Sequence, residues 1–256
     1  ALVEEIAQRG HGIVMTMGKG GVGKSTIAAE VAEALAMRGH DVLLTTTDPA
    51  GSFDNVNGGA HLSVGRIDPE AEVARYRAEV MATTGTKLDE AGRALLEEDL
   101  SSPCTEEIAV FQAFAATVDR GQNGFVVLDT APTGHTILLL DAAQSFHREV
   151  SRQAKAVPEP VLRLLDRLRD PEFAHIILCT LPEATPVHEA AALQQDLGRA
   201  GITPFGWVIN QSLSPLKVSD PVLVQRQAQE SRYIREVVEQ QAPRAALVGW
   251  HTSSPQ

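Results

Sequence analysis

The chain holds only two cysteines, Cys104 and Cys179, in 256 residues. That is too few for a disulfide framework, and the paired Cys/His spacings of a zinc site are missing. A reducing cytosol is the compartment this usage fits. Aromatic residues make up 4% of the chain, so a core must be assembled from Ala, Val, Leu and Ile. Basic charge is scarce as well: 22 Lys and Arg stand against 33 Asp and Glu, a net charge of −11. That balance argues against a clustered-cation grip on DNA or RNA and against electrostatic docking on an anionic membrane face. No apolar run reaches the ~20 residues needed to span a bilayer, and no signal-peptide pattern is visible. The remaining composition, 43% apolar and 21% charged, is that of a globular chain long enough for one sizeable α/β domain.

The chain opens on Ala-Leu-Val-Glu-Glu-Ile-Ala-Gln-Arg-Gly, without an initiator methionine. Residues 1–10 read as a polar lead-in, and residues 11–256 as a single domain. Gly12 to Met17 is a short apolar run that ends in glycines, the mark of a buried strand. From Lys24 to Arg38 apolar residues recur at helical spacing (Ile27, Val31, Leu35) and stop before Gly39. Asp41 to Thr46 reads as a second strand. Strand, glycine loop, helix and strand make a βαβ unit, which implies a parallel sheet. Residues 51–66 read as loop and 70–118 as helical throughout. Further strands are expected at Phe125–Leu128, His175–Leu181, Phe205–Ile209 and Ala245–Val248, with helices at 186–199 and 220–241. The fold expected is a three-layer α/β P-loop architecture. Its sheet is mostly parallel with helices on both faces, and a helical insertion lies at about 70–118 and 136–170.

Gly18-Lys19-Gly20-Gly21-Val22-Gly23-Lys24-Ser25-Thr26 matches G-x-x-x-x-G-K-[ST] between a strand and a helix, the context that confirms a phosphate loop. Glycines let backbone N–H groups turn inward around a phosphate. The helix N-terminus adds partial positive charge. Lys24 is expected on the β- and γ-phosphates of ATP, and the Ser25 hydroxyl on Mg²⁺. Gly20, Gly21, Val22, Gly23 and Thr26 complete the cradle. Two strands end in acids. Asp48 follows Thr45-Thr46-Thr47 and is placed to orient or deprotonate the attacking water. Asp129 ends Phe125-Val126-Val127-Leu128 and is placed to hold Mg²⁺. Either acid alone reads better as a turn or cap residue. Coupled to the phosphate loop, both face the ligand crevice at the carboxyl edge of the sheet.

Lys19 is an extra lysine inside the loop. A lysine here resembles the deviant P-loop ATPases, in which it reaches the phosphates across a dimer or pseudo-dimer interface. That likeness makes Lys19 a catalytic candidate beside Asp48 and Lys24.

Asp129-Thr130-Ala131-Pro132-Thr133-Gly134-His135-Thr136 resembles the signature segment of the arsenite-pump ATPases and of their relatives that target tail-anchored membrane proteins. Arg66-Ile67-Asp68-Pro69, the stretch from Ser101 to Phe114, and Leu181-Pro182-Glu183-Ala184-Thr185-Pro186 look like the pump ATPases in particular. The resemblance covers nearly the whole chain. It implies a cytoplasmic ATPase, attached peripherally to the inner face of the membrane through an integral-membrane arsenite pore protein. It also implies stimulation by As(III) or Sb(III). The pump ATPases carry two homologous halves, and the lead-in looks like the end of the linker before the second. The expected partner is therefore a homologous ATPase half, in the same polypeptide or another copy. Residue by residue, Cys104 matches a metalloid ligand, Ser102 and His135 match positions lining the metalloid region, and Asn210 matches the adenine-recognising Asn. A thiolate suits a thiophilic metalloid, and one Cys needs further ligands across an interface. Cys179, in Ile176-Ile177-Leu178-Cys179-Thr180, reads as core.

Two stretches depart from the pattern. After Ala50 the chain runs Gly51-Ser52-Phe53-Asp54-Asn55, and Ala60-His61-Leu62-Ser63 comes later, so the first switch reads as altered or rearranged. Val248-Gly249-Trp250-His251-Thr252 departs from the segment expected around the adenine. Other functions fit less well. A targeting chaperone wants a Met-rich groove, and this chain has four Met. A partition-type switch binds DNA or membrane with basic patches that are missing here. An iron–sulfur reductase needs cluster cysteines.

Overall fold

The computed structural model describes residues 2–48, 53, 56, 59–130 and 158–250. Among these residues seven strands form one sheet in the order β3-β2-β4-β1-β5-β6-β7. They are β1 (Gly12–Met17), β2 (Val42–Thr46), β3 (Leu62–Val64), β4 (Phe125–Asp129), β5 (Ala174–Thr180), β6 (Gly206–Ser212) and β7 (Ala245–Gly249). Every pairing is parallel, a stricter outcome than the mostly parallel sheet expected. Parallel strands need crossover connections, and helices supply them on both faces.

The period of the strands sorts the core into two layers. Ile13, Met15, Met17, Val126, Leu128, Ile176 and Leu178 point to one face. There α5 (Pro103–Asp119), α6 (Glu159–Arg169) and α7 (Ala184–Arg199) cover them. Val14, Val127, Ile177 and Cys179 point to the other, under α2 (Lys24–Ala36). Aromatics are few but central: Trp207 is fully buried, and its indole N–H donates to Gln194 Oε1 at 2.8 Å.

Four expectations change. Residues 2–7, read as polar lead-in, form helix α1 (Leu2–Ala7), with Leu2 and Ile6 packed into the α2 layer. Glu5 pairs with Arg244 at 2.8 Å and Glu4 with Arg38 at 3.3 Å, tying α1 to distant parts of the chain. Within the 51–66 loop, β3 adds an edge strand, pairing Val42 with Leu62 and Leu44 with Val64. Its side chains are largely exposed, so no apolar run announced it. The continuous helix of 70–118 is three: α3 (Pro69–Thr83), α4 (Glu90–Asp99) and α5. Asp68 caps α3 and Asp89 caps α4, accepting from Gly92 N at 2.8 Å. Ser102-Pro103 opens α5, with proline at a position whose N–H has no helical partner. The polar helix of 220–241 is α8 (Pro221–Glu236) followed by a π-helical turn, Val237–Gln241. Of the second insertion segment, 136–170, only α6 and its flanks fall within the described residues.

Candidate nucleotide site

The sheet order reverses around β1 and β4: β2 and β3 lie on one side, β5 to β7 on the other. In open parallel sheets the carboxyl edge at such a reversal is where ligands bind. The phosphate loop, Asp48 and Asp129 meet at this edge. β1 runs into the Gly18–Gly23 turn and then directly into α2. Gly18 has φ 146° and a Cβ there would lie 2.3 Å from the Cys179 carbonyl oxygen. Gly23 has φ 88° and a Cβ there would lie 2.2 Å from Asn210 Nδ2. Only glycine satisfies both the backbone angle and the space. No side chain caps α2 at Gly23, so its first-turn N–H groups suit an anion.

Lys24 is buried, and its Nζ donates to the Lys19 carbonyl at 3.2 Å. The Ser25 hydroxyl donates to Asp129 Oδ2 at 2.6 Å. The pairing register sets Thr16, Asp129 and Thr46 side by side at the ends of β1, β4 and β2. The Thr16 hydroxyl donates to Asp129 Oδ1 and the Thr46 hydroxyl to Oδ2, both at 3.4 Å. Asp129 is fully buried, and burial raises its carboxyl above the ordinary range. The Ser25 hydroxyl, the Lys24 charge and the Thr16 hydroxyl oppose that rise, and the Asp48 charge adds to it. Asp48 is partly exposed. Its N–H donates to Thr46 Oγ1 at 2.9 Å, and the neighbouring Thr47 N–H to the Asp129 carbonyl at 3.0 Å. The end of β2 is thereby fastened to the end of β4.

Gly20, Gly21 and Thr26 are exposed along the loop, and Val22 is buried beneath it. Asn210 lies near the end of β6, against the phosphate loop. It is buried, its Nδ2 donates to the Val22 carbonyl at 2.9 Å, and its Oδ1 accepts from Gln211 N at 2.9 Å. The amide thus ties β6 to the phosphate loop, and its oxygen fixes the adjacent backbone. The turn beyond it is held from α8: buried Glu230 accepts from Ser212 Oγ and Leu213 N, each at 2.8 Å. Lys19 is turned outward, its Nζ 2.9 Å from Glu189 Oε1 on α7.

The metalloid candidates lie on another element. Ser102 precedes α5, with its Oγ 3.3 Å from Thr105 Oγ1. Cys104 is the second residue of that helix and is exposed. His135 lies outside the described residues. Cys179 is fully buried, and burial pushes its thiol up to about 12, as a core residue requires.

Sequence reasoning missed Thr16, Thr46, Glu189 and Glu230. A hydroxyl residue near the end of each of two apolar strands was a signal available for the threonines. The two glutamates sit in polar helical stretches, and nothing local marks them. A cavity of about 250 Å³ lined by Asp41, His61 and Arg120 opens at the amino edge of β2 and β4, away from this chemistry.

Residues 11–165 match the family model described as Anion-transporting ATPase. The chain is 52% identical to an arsenical pump-driving ATPase of Escherichia coli, over 100% of this chain and 44% of that protein. Against the arsenical pump-driving ATPase of Acidiphilium multivorum it is 52% identical, over 99% of this chain and 44% of that protein. A putative arsenical pump-driving ATPase 2 of Aquifex aeolicus is 30% identical, over 86% of each. The chain thus spans less than half the length of the first two relatives. No helix among the described residues is long and apolar enough to cross a membrane. Because the matched stretch carries the phosphate loop and both strand-end aspartates, the chain belongs to the anion-transporting ATPase family.

Proposed function

We propose that this chain is one ATP-hydrolysing half of an ATPase that energises an arsenite efflux protein and is stimulated by As(III) or Sb(III). The observation that carries the nucleotide chemistry is the 2.6 Å contact between Ser25 and Asp129 at the foot of the phosphate loop. A hydroxyl and a buried carboxylate converge there, and hard oxygen donors fit Mg²⁺. Mg²⁺ on Ser25 and Asp129 would neutralise charge on the β- and γ-phosphates. Lys24 holds those phosphates once it gives up the Lys19 carbonyl. Asp48 orients the attacking water and accepts its proton. Lys19 serves the nucleotide of a partner half, a reading supported by its outward course. Asn210 keeps the phosphate loop in shape.

The metalloid part rests on the 52% identity to proteins named arsenical pump-driving ATPases. Cys104, with Ser102 and His135, would take the metalloid beside a homologous half. The pore protein, and the peripheral membrane attachment it gives, belong to the same reading. Steady-state ATPase activity, with and without antimonite, tests it on this chain alone and mixed with a homologous first half. Stimulation that needs the partner and disappears in Cys104→Ala is expected. Stimulation that persists in Cys104→Ala, or activity indifferent to antimonite in both settings, overturns the metalloid part. Absence of any ATP hydrolysis in either setting overturns the whole.

A further inference from the structure

We propose that Glu189 is a positioning residue for Lys19, holding that lysine off its own chain's phosphate cradle until a second ATPase half presents a nucleotide. The proposal rests on the reading that Lys19 acts across an interface. Two lysines five residues apart in one loop have opposite destinations. Lys24 is buried and its Nζ meets the Lys19 carbonyl at 3.2 Å, so the Lys19 backbone faces the cradle. The Lys19 side chain leaves the cradle and meets Glu189 Oε1 at 2.9 Å. Glu189 belongs to α7, which follows β5. It is 170 residues from Lys19 in the chain, so the packing of α7 beside the loop, not local geometry, makes the pair.

Both side chains remain open to solvent, 41% exposed for Lys19 and 43% for Glu189. A pair so exposed is weak. Weakness is what a releasable contact needs: a triphosphate carries several negative charges and outcompetes one screened carboxylate for the ammonium. The loop lysine is thereby kept extended and oriented outward, and less freedom is lost when it engages a partner.

The test reads Lys19 itself. The full chain is acylated with an amine-reactive N-hydroxysuccinimide ester of acetate, and modification is followed residue by residue by mass spectrometry. In Glu189→Gln, Lys19 is expected to react about 2–5-fold faster than in the parent, the span of a weak exposed pair. Exposed Lys217 should be unchanged. Equal Lys19 rates in the two proteins overturn the proposal. ATP turnover in the presence of a homologous half separates it from the reading beneath it. Glu189→Gln should turn over at the parent rate or up to about 5-fold faster at low protein concentration. A loss above about tenfold would place Glu189 in the assembled site instead and overturn its holding role. Lys19→Gln that keeps parent turnover sinks the cross-interface reading, whatever the acylation rates show.

Discussion

Ser25 and Asp129 lie 104 residues apart in sequence, and the Ser25 hydroxyl sits 2.6 Å from the Asp129 carboxylate. One comes from the first turn of α2 and the other from the end of β4. Their meeting is a consequence of β1 and β4 being neighbours in register, Thr16 beside Asp129. The contact joins the phosphate loop to the second acidic strand end.

Asp129→Asn should separate chemistry from stability. The amide keeps the shape and the contact to Ser25 but cannot serve as an anionic Mg²⁺ ligand. ATPase kcat is expected to fall by about 10²–10³-fold, the scale of losing one preorganised electrostatic group. Thermal unfolding should be unchanged or shift upward, because burial disfavours the charged carboxylate in the folded chain. Steady-state kinetics and a melting curve on the same preparation decide it. Retained kcat would remove Asp129 from the Mg²⁺ role.

Asn210→Ala should weaken nucleotide binding without touching the chemical step. It removes the 2.9 Å bond to the Val22 carbonyl and leaves that buried oxygen unsatisfied. The cost is about 1–3 kcal/mol, or roughly 5–150-fold in affinity if it falls wholly on the bound loop conformation. Gly23→Ala should be worse, since its Cβ would strike the Asn210 amide. Titration with a fluorescent ATP analogue measures both. Asn210→Ala with parent affinity would show that the loop holds its shape unaided.

His175 should make the protein sensitive to mild acid. It is fully buried on β5, its Nδ1 is 3.3 Å from the Ile13 carbonyl, and its Nε2 has no hydrogen-bond partner among the described residues. Burial lowers its pKa below the ordinary 6.5. Below that value the unfolded chain takes up a proton that the folded chain refuses, so stability falls as pH drops through 6.5 toward the lower folded value. The slope from this group approaches about 1.4 kcal/mol per pH unit. Urea midpoints at pH 7.5 and 5.5 should differ more in the parent than in His175→Gln. Equal differences would remove His175 as the cause.

The two cysteines should be chemically distinct. Cys104 is exposed, and Cys179 is buried with a thiol near 12. Iodoacetamide at pH 8 should add one group to the native protein, at Cys104, and two in denaturant. Native modification of Cys179 would mean that the core over the phosphate loop opens readily.

Much of this architecture could be read locally. β1, the glycine loop and α2 carry their period and their breakers within 25 residues, and five other strands are apolar runs bounded by turns. What escaped reading lacked such a signal. β3 is three residues long and held by pairing alone. α1 reads as polar because only Leu2 and Ile6 of its face are buried. The breaks between α3, α4 and α5 depend on short capping contacts such as Asp89 with Gly92.

The site divides in the same way. The identity of the phosphate loop, and the aspartates just past β2 and at the end of β4, follow from residue types and spacing, because glycine's freedom of φ and a strand's apolar run are properties of the local chain. Where the side chains go does not follow. Lys19 on Glu189, Asn210 on Val22 and Glu230 on Ser212 each join segments brought together only by the strand order and the packing of α7 and α8. Hydrogen bonds and ion pairs act over a few ångströms of space and are indifferent to distance along the chain. Which polar groups become partners was therefore decided by the tertiary fold.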